Sequence, residues 1–350
     1  MKIGIYDPYL DTLGGGEKYI LSIASCLKEK HKVFLFWDDS QILIKAKARF
    51  DINLENVSLT KNIFHSGSFF KKIFATRSYD VIFYVSDGSI PTLLSKKNIL
   101  IFQFPVNWIK GKNFPTKLKL NKIQRIICYS EFVKKFLDKT FSIKATVLPP
   151  VVDSVKKDLK KEDVILTVGR FTKAVNTKKQ EVLIDAFKKL YDKGLTNWTL
   201  IIVGSVLPSD ADYVEELKKR SRNYPIKILA NISFGDLVNY YNEAKIYWHA
   251  AGFGEDLIKH PERAEHFGIS TVEAMSAGAV PVVINAGGQK EIVENNKSGY
   301  RWDSVEELLK YTKDLINDKA LWSKMSKQAQ ERSKVFSEDR FCKDLKGLIK

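Results

Sequence analysis

The sequence predicts an α/β protein built from two consecutive Rossmann-like, doubly wound domains facing each other across a cleft. Three observations carry that prediction. The chain has 350 residues, and at about 100 to 200 residues per domain that length suits two domains. Short β-rich runs recur along it and alternate with helical patterns, the signature of parallel sheets with crossover helices. Several runs are apolar through their whole length, as strands covered on both faces are. With 44% hydrophobic and 28% charged residues, whole-chain disorder, collagen and coiled coil are excluded.

In the first half, strands are expected at Lys2 to Asp7, Lys32 to Asp38, Asp80 to Asp87, Asn98 to Phe104, Arg125 to Tyr129 and Ala145 to Leu148. Pro149-Pro150 can continue neither a helix nor a central strand, and the charged run Lys156 to Asp163 has few apolar residues, so the inter-domain linker belongs there. The alternation restarts with strands at Asp163 to Gly169, Trp198 to Gly204, Ile226 to Ala230, Ile246 to His249 and Pro281 to Ile284. Between them, Lys179 to Lys193 places Val182, Leu183, Ala186, Phe187 and Leu190 on one helical face, and Leu237 to Ala244 reads as another helix. Three helical segments close the chain, near Val305 to Asn317, Ala320 to Val335 and Glu338 to Ile349. The domains are therefore drawn as residues 1–153 and 154–335, with a terminal helix in 336–350 expected to pack back on the first. In such sheets ligands bind at the carboxyl ends of the strands.

Lysine and arginine number 57 against 41 acidic residues, a formal net charge of +16 that favours an anionic partner. The excess is lopsided. Residues 1–150 carry 24 basic and 12 acidic side chains, whereas residues 151–350 are nearly balanced. From Lys96 to Lys144, only Glu131 and Asp138 oppose 12 basic residues. That stretch has two readings. It is the solvated face of lysine-rich helices, or a peripheral contact with anionic membrane in which Trp108, Ile109, Phe114 and Phe132 are apolar anchors. No run approaches the ~18 apolar residues of a membrane span, and the opening Met1 to Asp7 reads as a strand rather than a secretion signal. The three cysteines, Cys26, Cys128 and Cys342, lack the spacing of a zinc site or a disulfide framework and suit a reducing cytosol. A cytoplasmic protein, peripheral on the cytoplasmic face of the membrane if the basic face binds lipid, is the expectation.

Three motifs carry chemistry. Gly14-Gly15-Gly16-Glu17 lies between the first strand and the first helix, where bare backbone admits a ligand and a helix N-terminus offers N–H groups to an anion. Val168-Gly169-Arg170-Phe171 is followed by Lys178-Lys179-Gln180 at the next helix start. A strand-end Arg and a helix-start Lys can converge on a diphosphate and neutralise the charge of a leaving group. The most specific motif runs from Glu265 through His266-Phe267-Gly268-Ile269-Ser270 to Glu273-Ala274, then Gly278, Pro281, Val282 and Val283. Gly268 lies where a loop enters a helix, so the amides of Gly268, Ile269 and Ser270 can hold a phosphate while Ser270 supports the cap. Glu265 and Glu273 can reach opposite ends of one ligand, and carboxylates bind sugar and ribose hydroxyls by charge-assisted hydrogen bonds.

On these motifs, with Tyr129-Ser130-Glu131, Leu148-Pro149-Pro150-Val151 and Ala286-Gly287-Gly288-Gln289 running on to Val293, the chain resembles the retaining GT-B glycosyltransferases of family 4 (glycosyl transferases group 1) along nearly its whole length. The E-x7-E spacing of Glu265 and Glu273 is the specific feature. The resemblance implies a GT-B fold and transfer of a sugar, with retention, from a nucleotide-sugar donor to a hydroxyl of a glycan, glycolipid or lipid-linked acceptor. The product would be an α-glycoside in cell-surface polysaccharide or glycoconjugate synthesis, formed without a metal or other cofactor. By the same resemblance Gly15, Gly16, Arg170 and Lys178 hold the donor diphosphate, Glu265 binds hydroxyls of the transferred sugar, and Glu273 binds the donor ribose. The backbone near Asn231 and Ile232 meets the base, and Phe267, Gly268, Ile269 and Ser270 complete the donor site. Glu265, Arg170 and Lys178 are expected to carry catalysis, and Gln103, Asp87 and Gly288 to lie on the acceptor side.

Two departures matter. Many relatives carry a His in the first domain, close to the sugar, where this chain has Gln103 in Ile101-Phe102-Gln103-Phe104-Pro105, so a His-based role does not transfer. The segment from Trp248-His249 to His260-Pro261-Glu262 is also long; the three histidines and several carboxylates of His249 to His266 have a metal site's composition, but their spacing fits no helix-borne ligand motif, and a lid over the donor is the expectation. Asp38-Asp39, two adjacent acids ending a strand, read as solvated. A nucleic-acid binder would suit the charge alone, but a recognisable binding module is lacking and the acids of the third motif would oppose a polyanion. A non-catalytic sugar-binding protein on the same scaffold is opposed by the intact Arg170, Lys178, Glu265 and Glu273.

Overall fold

The computed structural model describes residues 1–350 apart from 66–68, 107, 110, 112, 174–176 and 350, and apart from the side chains of Phe69 and Lys71. The chain divides into two compact units, Met1–Val151 together with the terminal segment from Glu338, and Val152–Ser337. The first boundary, between Val151 and Val152, lies one residue beyond Pro149-Pro150.

The first unit is a seven-stranded sheet in the order β3-β2-β1-β4-β5-β6-β7, with every neighbouring pair parallel. Its strands are β1 (Lys2–Tyr6), β2 (Lys32–Phe36), β3 (Val57–Thr60), β4 (Val81–Val85), β5 (Lys97–Phe102), β6 (Arg125–Cys128) and β7 (Ala145–Val147). The crossovers are helices α1 (Gly15–Leu27), α2 (Ile42–Phe50), α3 (Phe69–Thr76), α4 (Phe114–Leu120) and α5 (Glu131–Thr140). The central strand β4, Val-Ile-Phe-Tyr-Val, is buried at every position, because helices cover both faces of a doubly wound sheet. Local chemistry sets the helix starts. The Ser130 hydroxyl accepts from the Val133 amide and opens α5, whose Val133 and Leu137 turn inward.

The second unit is a six-stranded parallel sheet in the order β10-β9-β8-β11-β12-β13. Its strands are β8 (Glu162–Val168), β9 (Thr199–Gly204), β10 (Ile226–Ala230), β11 (Ala244–His249), β12 (Val280–Ile284) and β13 (Tyr300–Trp302). Around it lie α6 (Gln180–Asp192), α7 (Ala211–Arg220), α8 (Phe234–Glu243), α9 (Ile269–Ser276), α10 (Gln289–Ile292), α11 (Val305–Asn317) and α12 (Lys319–Ser333). The core gathers Leu183, Phe187 and Leu190 of α6 with Trp248 of β11 and Trp302 of β13. Two strands were not anticipated, β3 and β13. Each is a short edge of its sheet, where one side has no neighbour and a fully apolar run is not required.

The last helix, α13 (Glu338–Ile349), belongs to the first unit and explains why α1 is apolar on so many sides. Phe341, Leu345 and Ile349 of α13 are buried, and the Phe341 ring meets Tyr19 of α1 at 5.4 Å. This packing overturns the expectation that the cysteines make no disulfide, and with it the support they gave to a reducing cytosol. Cys26 on α1 and Cys342 on α13 are disulfide-bonded, with Cα atoms 5.3 Å apart, while Cys128 lies buried in the core. Two thiols 316 residues apart leave no spacing pattern to read. Among the described residues no helix is long and apolar enough to cross a membrane.

A cross-link closing so long a loop restricts the unfolded chain. Reduction, or Cys342→Ser, is expected to lower the unfolding free energy by about 5 kcal/mol, the upper end of what a disulfide contributes. Melting temperatures of oxidised, reduced and Cys342→Ser protein check this; three equal values would contradict it.

Candidate active site

The residues of the third motif converge at the carboxyl edge of the second sheet. His249 ends β11, Lys178 sits two residues before α6, and Glu265 lies in the loop leading to α9. One carboxylate oxygen organises all three segments. Glu265 Oε2 accepts from Lys178 Nζ at 2.7 Å and is 2.9 Å from His249 Nε2. Burial alone would raise the Glu265 pKa, but the Lys178 ammonium and the His249 hydrogen bond outweigh it and hold the carboxyl well below its usual range. Burial pushes His249 the other way, towards the neutral imidazole, against the pull of Glu265. A neutral ring donates Nε2–H to Glu265, which leaves Nδ1 buried without a partner among the described residues. Both contacts fall on Oε2, and neither engages Oε1.

Glycines bring the surrounding backbone close. Gly169 follows β8, and a Cβ there would stand 2.6 Å from Lys178 Cγ, so the lysine stem lies over bare backbone. Gly268, with φ 121°, caps α9 in a conformation that glycine favours. The Gly288 amide donates to the Glu265 carbonyl at 2.8 Å, tying the 286–289 loop to the motif. Arg170 is exposed, and its carbonyl accepts from Gln180 Nε2 at 3.1 Å, while Tyr213 holds Gln180 in turn. Glu273, one turn into α9, accepts from the buried Tyr241 hydroxyl at 2.7 Å. Asn231, just beyond β10, adopts φ 54° and bonds the Val206 backbone through its side chain. Ile232 follows it.

Several expectations change. Ser270 does not cap α9; its hydroxyl bonds Tyr247 at 2.8 Å and the Val168 carbonyl at 3.3 Å, so it ties the helix to β8 and β11. The Phe267 ring is buried, 5.3 Å from Phe336, and packs in the interior. Glu255 of the long segment binds Lys179 at 2.6 Å and Arg263 at 2.8 Å, while Ala250, Ala251, Pro261 and Ala264 are buried. Its histidines point to separate carboxylates, His249 to Glu265 and His260 to Glu262. Asp38 and Asp39 are exposed, as expected, and accept backbone amides of Asn62 and Gln41.

At the first sheet, the glycine turn has its own carboxylate. Glu17 accepts from the Gly14 amide at 2.6 Å and caps α1; Gly15 and Gly16 form its first turn. Gln103 lies against Gly16, and Asp87, after β4, accepts from the Ser89 amide. Sequence reasoning passed over Asp7, the residue after β1. It is only 2% exposed, and burial pushes its carboxyl up to about 7, with Glu17 and Asp11 adding to the rise and the Tyr9 amide opposing it. Its place between a strand end and a glycine turn was the available signal.

A family model described as "Glycosyl transferases group 1" matches residues 153–332. The chain is 24% identical to the GDP-Man:Man(3)GlcNAc(2)-PP-Dol alpha-1,2-mannosyltransferase of Dictyostelium discoideum, over 100% of this chain and 84% of that protein. It is likewise 24% identical to an uncharacterised glycosyltransferase of Haemophilus influenzae, with 99% of each covered. Among solved structures, Anabaena HepE in complex with UDP and glucose matches with a TM-score of 0.73 at 20% identity, covering 99% of both chains.

Two stability changes follow. Lys178→Met leaves a buried carboxylate without its cation and should cost about 3 kcal/mol in denaturant unfolding; an unchanged midpoint would contradict the pairing. Asp7 binds in the folded state a proton that the unfolded chain releases above its ordinary value of 3.8, so its effect on stability is absent at low pH and grows adverse up to about 7. Asp7→Asn should therefore match wild type near pH 3 and be more stable by up to about 4 kcal/mol above pH 7. A pH-independent difference would contradict this.

Proposed function

The chain belongs to the glycosyl transferases group 1, and on that premise we propose that it is a retaining enzyme of the family 4 type. It moves a sugar from a nucleotide-sugar donor to a hydroxyl of a glycan, glycolipid or lipid-linked acceptor, forming an α-glycoside. The observation that carries this reading is Glu265, ionised, with Oε2 held by Lys178 and His249 and Oε1 open to a sugar hydroxyl. The Dictyostelium relative is named for a GDP-mannose donor and a dolichol-diphosphate-linked acceptor, and HepE was solved with UDP and glucose. Both support a nucleoside-diphosphate sugar here without choosing its base.

In this mechanism the exposed Arg170 and the N-terminal amides of α9 meet the donor diphosphate, and Lys178 adds its charge beside Glu265. Glu273 takes the ribose, and the backbone at Asn231 and Ile232 takes the base. Glu265 acts as a hydrogen-bond acceptor that fixes the sugar, because a carboxyl held so low has no proton to give. The acceptor hydroxyl then attacks the anomeric carbon on the face the diphosphate leaves. A carbon–oxygen bond to the acceptor forms as the bond to phosphate breaks, and the acceptor proton passes to the departing phosphate oxygen. Cations and a helix end supply the charge stabilisation, without a metal.

The basic segment of the first unit supports a peripheral membrane role on the cytoplasmic face, where lipid-linked acceptors would be met. Phe114 and Leu118, one turn apart on α4, are 73% and 54% exposed, and Trp108 is 55% exposed. Lys117, Lys119 and Lys122 surround them, all exposed. Two of the anticipated anchors turn inward instead: Ile109 packs against the core and Phe132 against Phe136. Lys110 and Lys112 lie outside the described residues.

Incubating the chain with UDP-, GDP- and ADP-sugars without acceptor should reveal slow hydrolysis of one donor, and Glu265→Ala should lower that turnover by about 100-fold or more. Near wild-type turnover by a folded Glu265→Ala protein would overturn the reading. Binding to anionic vesicles should weaken with salt and fall sharply in Lys117→Glu/Lys119→Glu; no binding at low salt would reject the membrane role.

A further inference from the structure

Three strands of the first sheet end in the same way. Asp7 is the first residue beyond β1, Gln103 the first beyond β5 and Tyr129 the first beyond β6. Each presents a buried polar atom that has no hydrogen-bond partner among the described residues: Asp7 Oδ2, Gln103 Nε2 and the Tyr129 hydroxyl. Buried polar atoms are nearly always paired, so three orphans at one edge call for an explanation. The Asp7 and Tyr129 residues are only 2% and 7% exposed. Asp7 Oδ1 is already used, accepting from the Tyr9 amide at 2.9 Å, so Oδ2 is the free oxygen. Gln103 rests against the bare backbone of Gly16, and the Tyr129 ring packs 4.5 Å from Tyr19 of α1. The charges of Asp7 and Glu17 both reach the Tyr129 hydroxyl, which places these groups around the glycine turn.

We propose that Asp7, Gln103 and Tyr129 form a binding subsite for a neutral vicinal diol, the hydroxylated end of a glycosyl acceptor. This rests on the glycosyltransferase reading and deepens it. The atoms fit one another's needs. A carboxylate accepts from one hydroxyl, and the amide N–H and phenol O–H donate to the oxygens of the pair. A phosphate is excluded by the surroundings, since the charged groups acting on Asp7 are Glu17 on α1 and Asp11 in the preceding turn, both acidic. Among the described residues, Tyr6, Tyr9 and Tyr129 also sense the charge of Asp7, and none of the three supplies a cation.

The pH signature follows. The ionised form of Asp7 is the better acceptor for a hydroxyl, and its carboxyl titrates at about 7. Saturation-transfer NMR and calorimetry on the full chain test this, with methyl α-D-glucopyranoside and methyl α-D-mannopyranoside as neutral probes and inorganic phosphate as the anionic competitor. Wild-type affinity for the favoured glycoside should be about tenfold higher near pH 8 than near pH 6. Asp7→Asn should lose about tenfold at pH 8 and show no pH dependence, and Tyr129→Phe should weaken binding while keeping it. Phosphate should not displace the glycoside. Absence of binding by either glycoside at pH 8, Asp7→Asn binding like wild type, or competition by phosphate would each overturn the subsite. Thermal melts of the variants confirm folding. Donor hydrolysis by wild type separates the two ideas: a chain that hydrolyses a donor but binds no glycoside loses only the subsite, and one that binds glycosides but hydrolyses no donor loses only the enzymatic reading.

Discussion

A carboxylate taken out of water must be compensated, and in the second unit that requirement is met at Glu265. Its Oε2 collects an ammonium and an imidazole from two other segments, Lys178 before α6 and His249 at the end of β11. Opposite charges 2.7 Å apart in a low-dielectric setting attract strongly, and the pair persists only if its geometry is kept. Much of the neighbouring sequence serves that geometry. Gly169 lets the lysine stem cross the backbone, Gly287 and Gly288 let a second loop reach the Glu265 peptide, and Gly268 turns the chain into α9. Removing the ion pair would release three segments at once, which is why the candidate site depends on it.

Parallel sheets explain why the rest of the chemistry is where it is. Every strand in each unit runs the same way, so all strand-to-helix loops gather at one edge. Polar groups that would be costly elsewhere in the core can be held at that edge and offered to a ligand. Asp7 shows the cost, with a carboxyl pushed to about 7 by its own burial. A buried carboxylic acid that weakens the fold at neutral pH is the kind of group that marks a candidate site.

Much of this was legible in the sequence, and the exceptions have physical causes. Apolar runs such as Val81–Val85 announce buried strands, and the third motif announces its site because seven residues separate two carboxylates around a loop-to-helix turn. The strands Val57–Thr60 and Tyr300–Trp302 were not legible, since edge strands need not be apolar on both faces. Ser270 looks like a helix cap in sequence, yet it bonds Tyr247 and Val168 because β8 and β11 lie beside it in space. The role of His249 depends on a partner sixteen residues on, and the Cys26–Cys342 bond on a helix that returns from the far end of the chain. Such pairings are made by topology. The net charge of +16 had the opposite fault: it was conspicuous but uninformative until divided, because the most specific motif, Glu265 to Glu273, lies in the nearly neutral half.

If Glu265 and Lys178 act as one unit, their contributions to donor turnover cannot be independent. A double-mutant cycle on donor hydrolysis, with Lys178→Met, Glu265→Gln and both together, measures that coupling directly. The double variant should be no slower than the slower single variant, because either change already dismantles the pair. Losses that multiply, with the double variant slowed by the product of the two single effects, would contradict the central role assigned to the ion pair.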